Sequence, residues 1–127
     1  MTKAILMAVL FLFVVATAPG IFAAEKADPK AGKAKYDSLC GGCHGTSGKG
    51  DGPAATGLNP KPQDHTNGKY MNSQTDKTLF DIIKGGGAGL KKSPLMPAWG
   101  NTLKDEDIWN LIAYIRSLAQ PPYKPPK

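Results

Sequence analysis

Few residues of this chain are of the kinds that build metal, redox or nucleic-acid sites. Among its 127 residues there are two cysteines, two histidines and a single arginine, Arg116. A structural zinc site takes four ligands at short paired spacings, so it would need every cysteine and histidine present. One arginine excludes the arginine clusters of nucleic-acid-binding proteins, and the net charge of +6 comes from scattered lysines. The lysines indicate either an ordinary solvated surface or a diffuse positive face that attracts an acidic protein partner.

The N-terminal segment has the order of a secretory signal. Lys3 precedes an uncharged apolar run, a Pro-Gly pair interrupts it at residues 19–20, and small residues follow. We predict a signal peptide over residues 1–24, cleaved between Gly20 and Ala24. The alternative is an uncleaved anchor that holds the protein at the membrane, because the apolar run nearly reaches spanning length. Either interpretation predicts an exported protein.

The domain that follows, residues 25–119, is predicted to be all-α. Helical apolar spacing and start or stop signals occur in three segments: 28–39, 73–85 and 102–118. The last segment is the clearest, since three acidic residues crowd its start and Arg116 lies near its end, as the helix dipole favours. No segment alternates like a β-strand. The Pro-rich tail, residues 120–127, is expected to be extended and mobile.

Single residues in the first two helices predict how these helices begin and pack. Asp28, followed by a proline, suits the cap of the first helix. Gly32 and Tyr36 lie one turn apart on it, so a partner helix can approach closely at Gly32. Ser73 or Thr75 is expected to cap the second helix.

A long segment between these helices, residues 45–72, is rich in glycine, proline and polar residues and poor in apolar ones. A structureless loop of this length argues against a compact domain unless the loop is functional. Three short helices also provide little core for a domain of this size. A buried prosthetic group would supply the missing apolar core and give the loop something to wrap.

The motif "CGGCH" combines Cys40, Cys43 and His44. A thioredoxin-like disulfide needs a βαβ context, which is missing, and gives the histidine no role. A disulfide between these cysteines would close too short a loop to stabilise much, and a zinc site would have to recruit the distant His65. Cys-x-x-Cys-His is the attachment signature of c-type haem, in which two thiols one turn apart form thioethers and the histidine lies under the iron. We therefore predict one covalently bound haem c.

The chain resembles the class I monohaem c-type cytochromes of the bacterial periplasm. The matching stretches are "YDSLCGGCHGTSGKGDGP", "PLMPAWG" and "LKDEDIWNLIAYIRSL", in the family's order and over nearly the whole domain. The resemblance implies a cytochrome c fold, with three main helices and long loops around the haem and with the terminal helices crossing near Gly32 and Tyr36. It also implies one-electron transfer as the activity. Lys104 stands where the family often has a Ser or Thr cap, so we expect Thr102, with Asp105, to cap the last helix instead.

Three residues are candidates for the second axial ligand of the iron. Met96 lies between prolines in "SPLMPAWG", where a stiff loop would present its thioether, and the resemblance points to the same residue. Met71 has polar neighbours and is expected to be only partly buried. His65 would give a bis-histidine haem of lower potential, but a lone loop histidine is more often solvated. The predicted iron ligands are His44 and Met96.

Other residues have less specific predicted roles around the haem. The resemblance assigns the carbonyl of Pro53 as acceptor of the second His44 ring N–H, a bond that orients a ligand histidine. Trp99 lines the haem crevice, binds a propionate or simply fills the core. Lys49, Lys91 and Lys92 are expected near the haem edge, where they would orient a transient partner.

These expectations describe a periplasmic electron shuttle with no catalytic residues, no small-molecule substrate and no nucleic-acid partner. Its partners would be redox proteins with acidic docking surfaces, and it would contact a membrane only through an uncleaved N-terminus. Two alternatives stay open. One is a haem enzyme or gas sensor with an open iron position. The other is a haem subunit held on a dehydrogenase, reductase or oxidase.

Overall fold

A computed structural model of the protein describes residues 26–125, so the predicted signal peptide, residues 1–24, lies outside the described residues. The α-helices, in chain order, are α1 (Pro29–Leu39), α2 (Gly41–His44), α3 (Gly68–Met71), α4 (Asp76–Gly85) and α5 (Asp105–Leu118). Two short 3-10 turns, Pro53–Ala55 and Ala88–Leu90, interrupt the loops. Within residues 26–125 there is no strand, only one isolated bridge between Asn67 and Gln120. The all-α prediction is therefore confirmed.

The beginnings of α1 and α4 follow from their capping residues. The side chain of Asp28 accepts a hydrogen bond from the Lys30 amide at 2.8 Å, as the sequence predicted. At α4 the choice between Ser73 and Thr75 is resolved in favour of Thr75, whose hydroxyl accepts from the Thr78 amide at 3.0 Å. Both caps satisfy amide groups that have no partner within the helix.

Helix α5 begins differently from the prediction. Its N-cap is Lys104, and the amide of Lys104 donates to the Asp107 carboxylate at 3.1 Å. The expectation that Thr102 and Asp105 form the cap is wrong, because the chain turns helical two residues later than that pairing requires. Asp107 at the third helical position thus provides the acidic half of a capping box, in which its carboxylate accepts from the amide of the cap residue.

The core forms where α1 crosses α5. A Cβ atom added to Gly32 would overlap the carbonyl oxygen of Asn110, so only glycine permits this close approach. Tyr36, one turn further along α1, is fully buried together with Ile108 and Leu111 of α5. The predicted crossing at Gly32 and Tyr36 is thus present, and it places the end of α1 next to the core.

Arg116 joins α5 to the turn between α3 and α4. Its guanidinium is 7% exposed and donates to the carboxylate of Asp76 at 2.7 and 2.8 Å. The same group donates to the backbone carbonyls of Met71 and Gln74. A buried charge is tolerated here because its donors have acceptors on three sides.

The start of the Pro-rich tail packs on the domain. Gln120 donates its amide to the Thr66 carbonyl at 2.9 Å and accepts from the Gly68 amide at 2.9 Å. The ring of Tyr123 lies 3.8 Å from the Arg116 guanidinium carbon. Backbone hydrogen bonds and a cation–π contact therefore hold Gln120 and Tyr123 against the domain, and the extended, mobile character of the tail stays a prediction.

None of the helices within residues 26–125 has the length and apolar character needed to cross a bilayer.

Candidate haem site

Both cysteines and the histidine of the motif lie on one turn of chain. The Cys40 amide caps α1 by donating to the Tyr36 carbonyl at 2.8 Å, and α2 begins at the next residue. The amides of Cys43 and His44 both donate to the Cys40 carbonyl, at 3.1 and 2.9 Å. Both cysteines are free and half-buried. This turn therefore presents two thiols and an imidazole side by side.

The environment of Cys40 differs from that of a redox-active thiol. Burial, with a smaller contribution from Cys43, raises the pKa of the Cys40 thiol to about 12. Reactive cysteines of disulfide oxidoreductases have lowered thiol pKa values, since the thiolate is the nucleophile. Cys40 therefore lacks the lowered thiol pKa of the nucleophilic cysteine in a dithiol redox centre.

His44 has one ring nitrogen already occupied. Its Nδ1 lies 2.9 Å from the carbonyl oxygen of Gln63, and because a carbonyl can only accept, Nδ1 carries the proton. Burial lowers the pKa of this imidazole, which keeps the ring neutral. The remaining nitrogen, Nε2, then has the free lone pair that a metal ligand needs.

The carbonyl that orients His44 is not the expected one. Pro53 is exposed and begins a 3-10 turn, whereas the chain at Gln63 folds back beside His44. The prediction that the Pro53 carbonyl takes this bond is wrong. The path of the loop determines which carbonyl reaches His44. The His65 amide donates to the Gly48 carbonyl at 2.7 Å and so draws residues 63–65 towards the motif.

His65 is buried rather than solvated, which corrects the expectation for a lone loop histidine. It is 8% exposed, and its ring stacks on His44 with the centroids 4.3 Å apart and the planes 15° apart. Its Nδ1 lies 2.9 Å from the Tyr36 hydroxyl. Burial, and then the neighbouring His44, lower the pKa of His65 to about 3. The two imidazole rings therefore lie face to face, so His65 stands directly beside His44.

Met96 lies in a loop that is fastened to the end of α4. The Gly87 amide donates to the Met96 carbonyl at 3.1 Å, and the Trp99 amide donates to the Ile83 carbonyl at 3.0 Å. The Met96 side chain is half-buried against the core. Backbone hydrogen bonds thus fix the loop that carries Met96, and ligation of the iron by its thioether stays a prediction.

Met71 and Trp99 complete the set of predicted residues. Met71 is 1% exposed and belongs to the core cluster, so the expectation of partial burial is wrong. The four-residue helix α3 turns its side chain inwards despite its polar neighbours in sequence. Trp99 is half-buried against the same core, and its role at the haem stays a prediction.

These residues fit a covalently bound haem. Two free thiols one turn apart match the two thioether bonds, and an oriented neutral imidazole matches an axial ligand. Several large apolar side chains are only half-covered by protein and pack on the core: Leu39, Tyr70, Phe80, Met96, Trp99, Trp109 and Leu118. A metal ion bound by side chains alone needs several ligating side chains close together. Among residues 26–125, no group of three His, Cys, Asp or Glu side chains is placed to hold such an ion.

Comparison with known proteins decides the family. A family model described as cytochrome c oxidase, cbb3-type, subunit III, matches residues 27–115. The chain belongs to this family of c-type cytochromes. The resemblance seen in the sequence is therefore confirmed, and with it a single covalently bound haem c as the cofactor.

Two curated relatives of the cytochrome differ in how much of their length it spans. It is 32% identical over 98 residues to the cbb3-type cytochrome c oxidase subunit CcoP of Azospirillum sp. (strain B510), covering 76% of this chain but 31% of that protein. It is also 32% identical over 93 residues to cytochrome c-554(547) of Halothiobacillus neapolitanus, covering 72% of this chain and 97% of that protein. The cytochrome thus spans about a third of the oxidase subunit but nearly all of the small cytochrome.

One solved structure shares the fold of the cytochrome. A chain of the reducing HAO-like protein complex of Kuenenia stuttgartiensis superposes with a TM-score of 0.59 at 24% identity. The match covers 72% of this chain and 42% of that chain. At this level of identity the similarity establishes the fold alone.

Proposed function

We propose that this cytochrome is an exported, periplasmic one-electron carrier whose haem iron is ligated by His44 and Met96. The observation that carries the proposal is the orientation of His44, whose Nδ1 proton is held by the Gln63 carbonyl at 2.9 Å. This bond leaves Nε2 for the iron and makes the ring a more basic ligand. Cys40 and Cys43, on the same turn, form the two thioethers.

Met96 is the proposed ligand on the other side of the iron. Its loop is pinned at both ends by backbone hydrogen bonds, and its side chain is only half-covered where it packs on the core. Met71 is enclosed in the core, and His65 stacks on the His44 side. Of the three candidates, Met96 therefore fits best.

The proposed ligand set accounts for carrier activity rather than catalysis. The haem supplies an iron that gains or loses one electron. With a protein ligand on each side, the iron has no open position for oxygen or a substrate. The chain's own residues fix the two ligands, so that little rearrangement accompanies electron transfer. Sulfur ligation favours the reduced state and raises the potential relative to a bis-histidine haem.

A surface beside Met96 fits an acidic protein partner. Leu90 and Leu95 are 40% and 59% exposed, and they are the large apolar side chains of the described residues most open to solvent. The exposed Lys91 and Lys92 lie between them in sequence, and Lys92 donates to the Tyr70 hydroxyl at 2.7 Å. We call residues 90–95 the docking loop. Apolar contact with surrounding positive charge suits brief encounters with a partner that carries carboxylates.

A second function is supported by the relatives. The family model and the CcoP relative are both named as parts of an oxidase, and this chain covers only a third of CcoP. The cytochrome would then be a haem subunit held on a larger redox complex. Fractionation of the native cell extract distinguishes the two functions, because a carrier is recovered as a free small protein and a subunit co-purifies with its complex.

The carrier function is tested with matured protein and carbon monoxide. The reduced protein is expected to keep its spectrum when carbon monoxide is added, because both axial positions are filled. It is also expected to give a single reversible one-electron wave in voltammetry. Rapid binding of carbon monoxide at neutral pH would refute the proposal and indicate a ligand-binding or sensor protein instead.

A further inference from the structure

The stacking of His65 on His44 has no part in ligating the iron or attaching the haem. The two rings are 4.3 Å apart between centroids and nearly parallel. His65 is more than nine-tenths buried. Burying a polar ring costs free energy unless the ring is held in position and its nitrogen atoms have hydrogen-bond partners. The contacts that hold His65 must therefore explain why it is buried here.

His65 is itself held by the core of the fold. Its Nδ1 forms a 2.9 Å hydrogen bond with the Tyr36 hydroxyl, and its backbone amide donates to the Gly48 carbonyl at 2.7 Å. Tyr36 is completely buried at the α1–α5 crossing and packs edge-on against Tyr114, with centroids 5.1 Å apart. A continuous set of contacts therefore runs from the helix crossing through Tyr36 and His65 to His44.

A ligand imidazole needs more than two end contacts to be fixed in orientation. The hydrogen bond from Nδ1 to Gln63 and a bond from Nε2 to iron act on opposite edges of the His44 ring. The ring is also bonded to the backbone through Cγ, but it can still turn through small angles about its Cβ–Cγ bond, because a hydrogen bond at one ring edge is a soft restraint. A flat side chain pressed against the face of the ring opposes that rotation.

We propose that His65 is a positioning residue that fixes the plane of the His44 imidazole relative to the haem, and that the Tyr36 hydroxyl holds His65 in place. This inference rests on the proposed function, since it requires His44 to ligate the iron. In this role His65 is neither an iron ligand nor a solvated loop residue, which are the two possibilities considered from the sequence.

Paramagnetic NMR of the oxidised, haem-loaded protein tests the inference directly. The spread of the haem methyl resonances reports the orientation of the axial imidazole plane and does not follow global stability. His65→Leu, which keeps a side chain of similar size but removes the flat face, is expected to change the order or spread of these resonances. His65→Phe, which keeps a flat ring but loses the hydrogen bond to Tyr36, is expected to change the pattern by less than His65→Leu.

Tyr36→Phe and a core variant complete the design. Tyr36→Phe removes only the hydroxyl and is expected to shift the resonances in the same direction as His65→Leu, by less. Ile112→Ala, in a buried residue that lines the groove beside Trp109 and Tyr123, lowers stability and is expected to leave the pattern unchanged. If His65→Leu does not fold, Tyr36→Phe still tests the inference.

The outcomes separate this inference from the proposed function. If His65→Leu or Tyr36→Phe keeps the unmodified pattern, or if His65→Phe is altered as much as His65→Leu, the positioning role is refuted and the carrier function stands. If the unmodified protein shows no low-spin spectrum of a c-type haem, the ligand assignment fails and the inference fails with it.

Discussion

Gly32 of α1 lies directly against the backbone carbonyl of Asn110 in α5. A methyl group at residue 32 would overlap that carbonyl oxygen, and the neighbouring Asn110 side chain accepts a hydrogen bond from the Asp28 amide at 2.7 Å. The two helices are therefore fastened at the same point at which they approach most closely. Because Cys40 immediately follows α1, this crossing also fixes where the haem attachment turn begins.

Gly32→Ala is expected to destabilise the protein by about 3 kcal/mol, since the obstructing atom is backbone and cannot move aside. The measurement is denaturant unfolding of the haem-loaded protein, followed by far-UV circular dichroism. Gly85→Ala is the matched control, because a Cβ at Gly85 meets nothing within 4 Å and alanine favours a helix by up to about 1 kcal/mol. Equal stability of the two variants would contradict the account of the crossing.

Arg116→Met is expected to lower the free energy of unfolding by about 3 kcal/mol. The variant removes the guanidinium donors of the Asp76 carboxylate and of the Met71 and Gln74 carbonyls. Lys77→Met is the control, because the pair that Lys77 forms with Asp81 is exposed and is expected to contribute less than about 1 kcal/mol. If both variants lose the same small amount, Arg116 does not join α5 to the α3–α4 turn as described.

Tyr123→Ala tests whether the tail is held on the domain. Loss of the aromatic face above the Arg116 guanidinium is expected to reduce stability by about 1 kcal/mol, whereas Tyr123→Phe keeps that face and stays near the unmodified value. The shift of the thermal unfolding midpoint measures the change of stability in each of the two variants. An unchanged midpoint in Tyr123→Ala would mean that this tail contact contributes nothing to stability.

The docking loop is tested by charge reversal. Lys91→Glu combined with Lys92→Glu is expected to slow electron transfer to an anionic small redox complex about tenfold at low salt and to leave the rate with a neutral complex unchanged. The difference is expected to vanish in high salt, which screens exposed charges. Lys30→Glu combined with Lys33→Glu makes the same change of net charge on α1. If that control slows the reaction equally, net charge and not the docking loop attracts the partner.

The helices and the haem motif could be predicted because their signals are local. Asp28 caps α1, Thr75 is one of two predicted caps for α4, and Cys-x-x-Cys-His is complete within five residues. The start of α5 was placed wrongly because a search for a Ser or Thr cap overlooks a helix whose cap residue is a lysine and whose Asp107 accepts the amide of that residue.

The surroundings of the haem motif could not be predicted, because they depend on the path of a loop. Residues 45–67 have no apolar periodicity, and their course is set by single backbone bonds such as the one from His65 to Gly48. The acceptor of the His44 ring proton and the burial of His65 both follow from that course. Met71 was misjudged because a helix of four residues is too short to show which side faces the core.

The far-red absorption of the oxidised protein tests the central claim, ligation of the haem by His44 and Met96, most directly. The account predicts a sulfur-to-iron charge-transfer band in the unmodified protein. It predicts that Met96→Ala abolishes this band and opens the iron to carbon monoxide, while Met71→Ala, the control for loss of a core methionine, keeps the band. A band that survives Met96→Ala, or that is missing from the unmodified protein, would contradict the proposed ligand set.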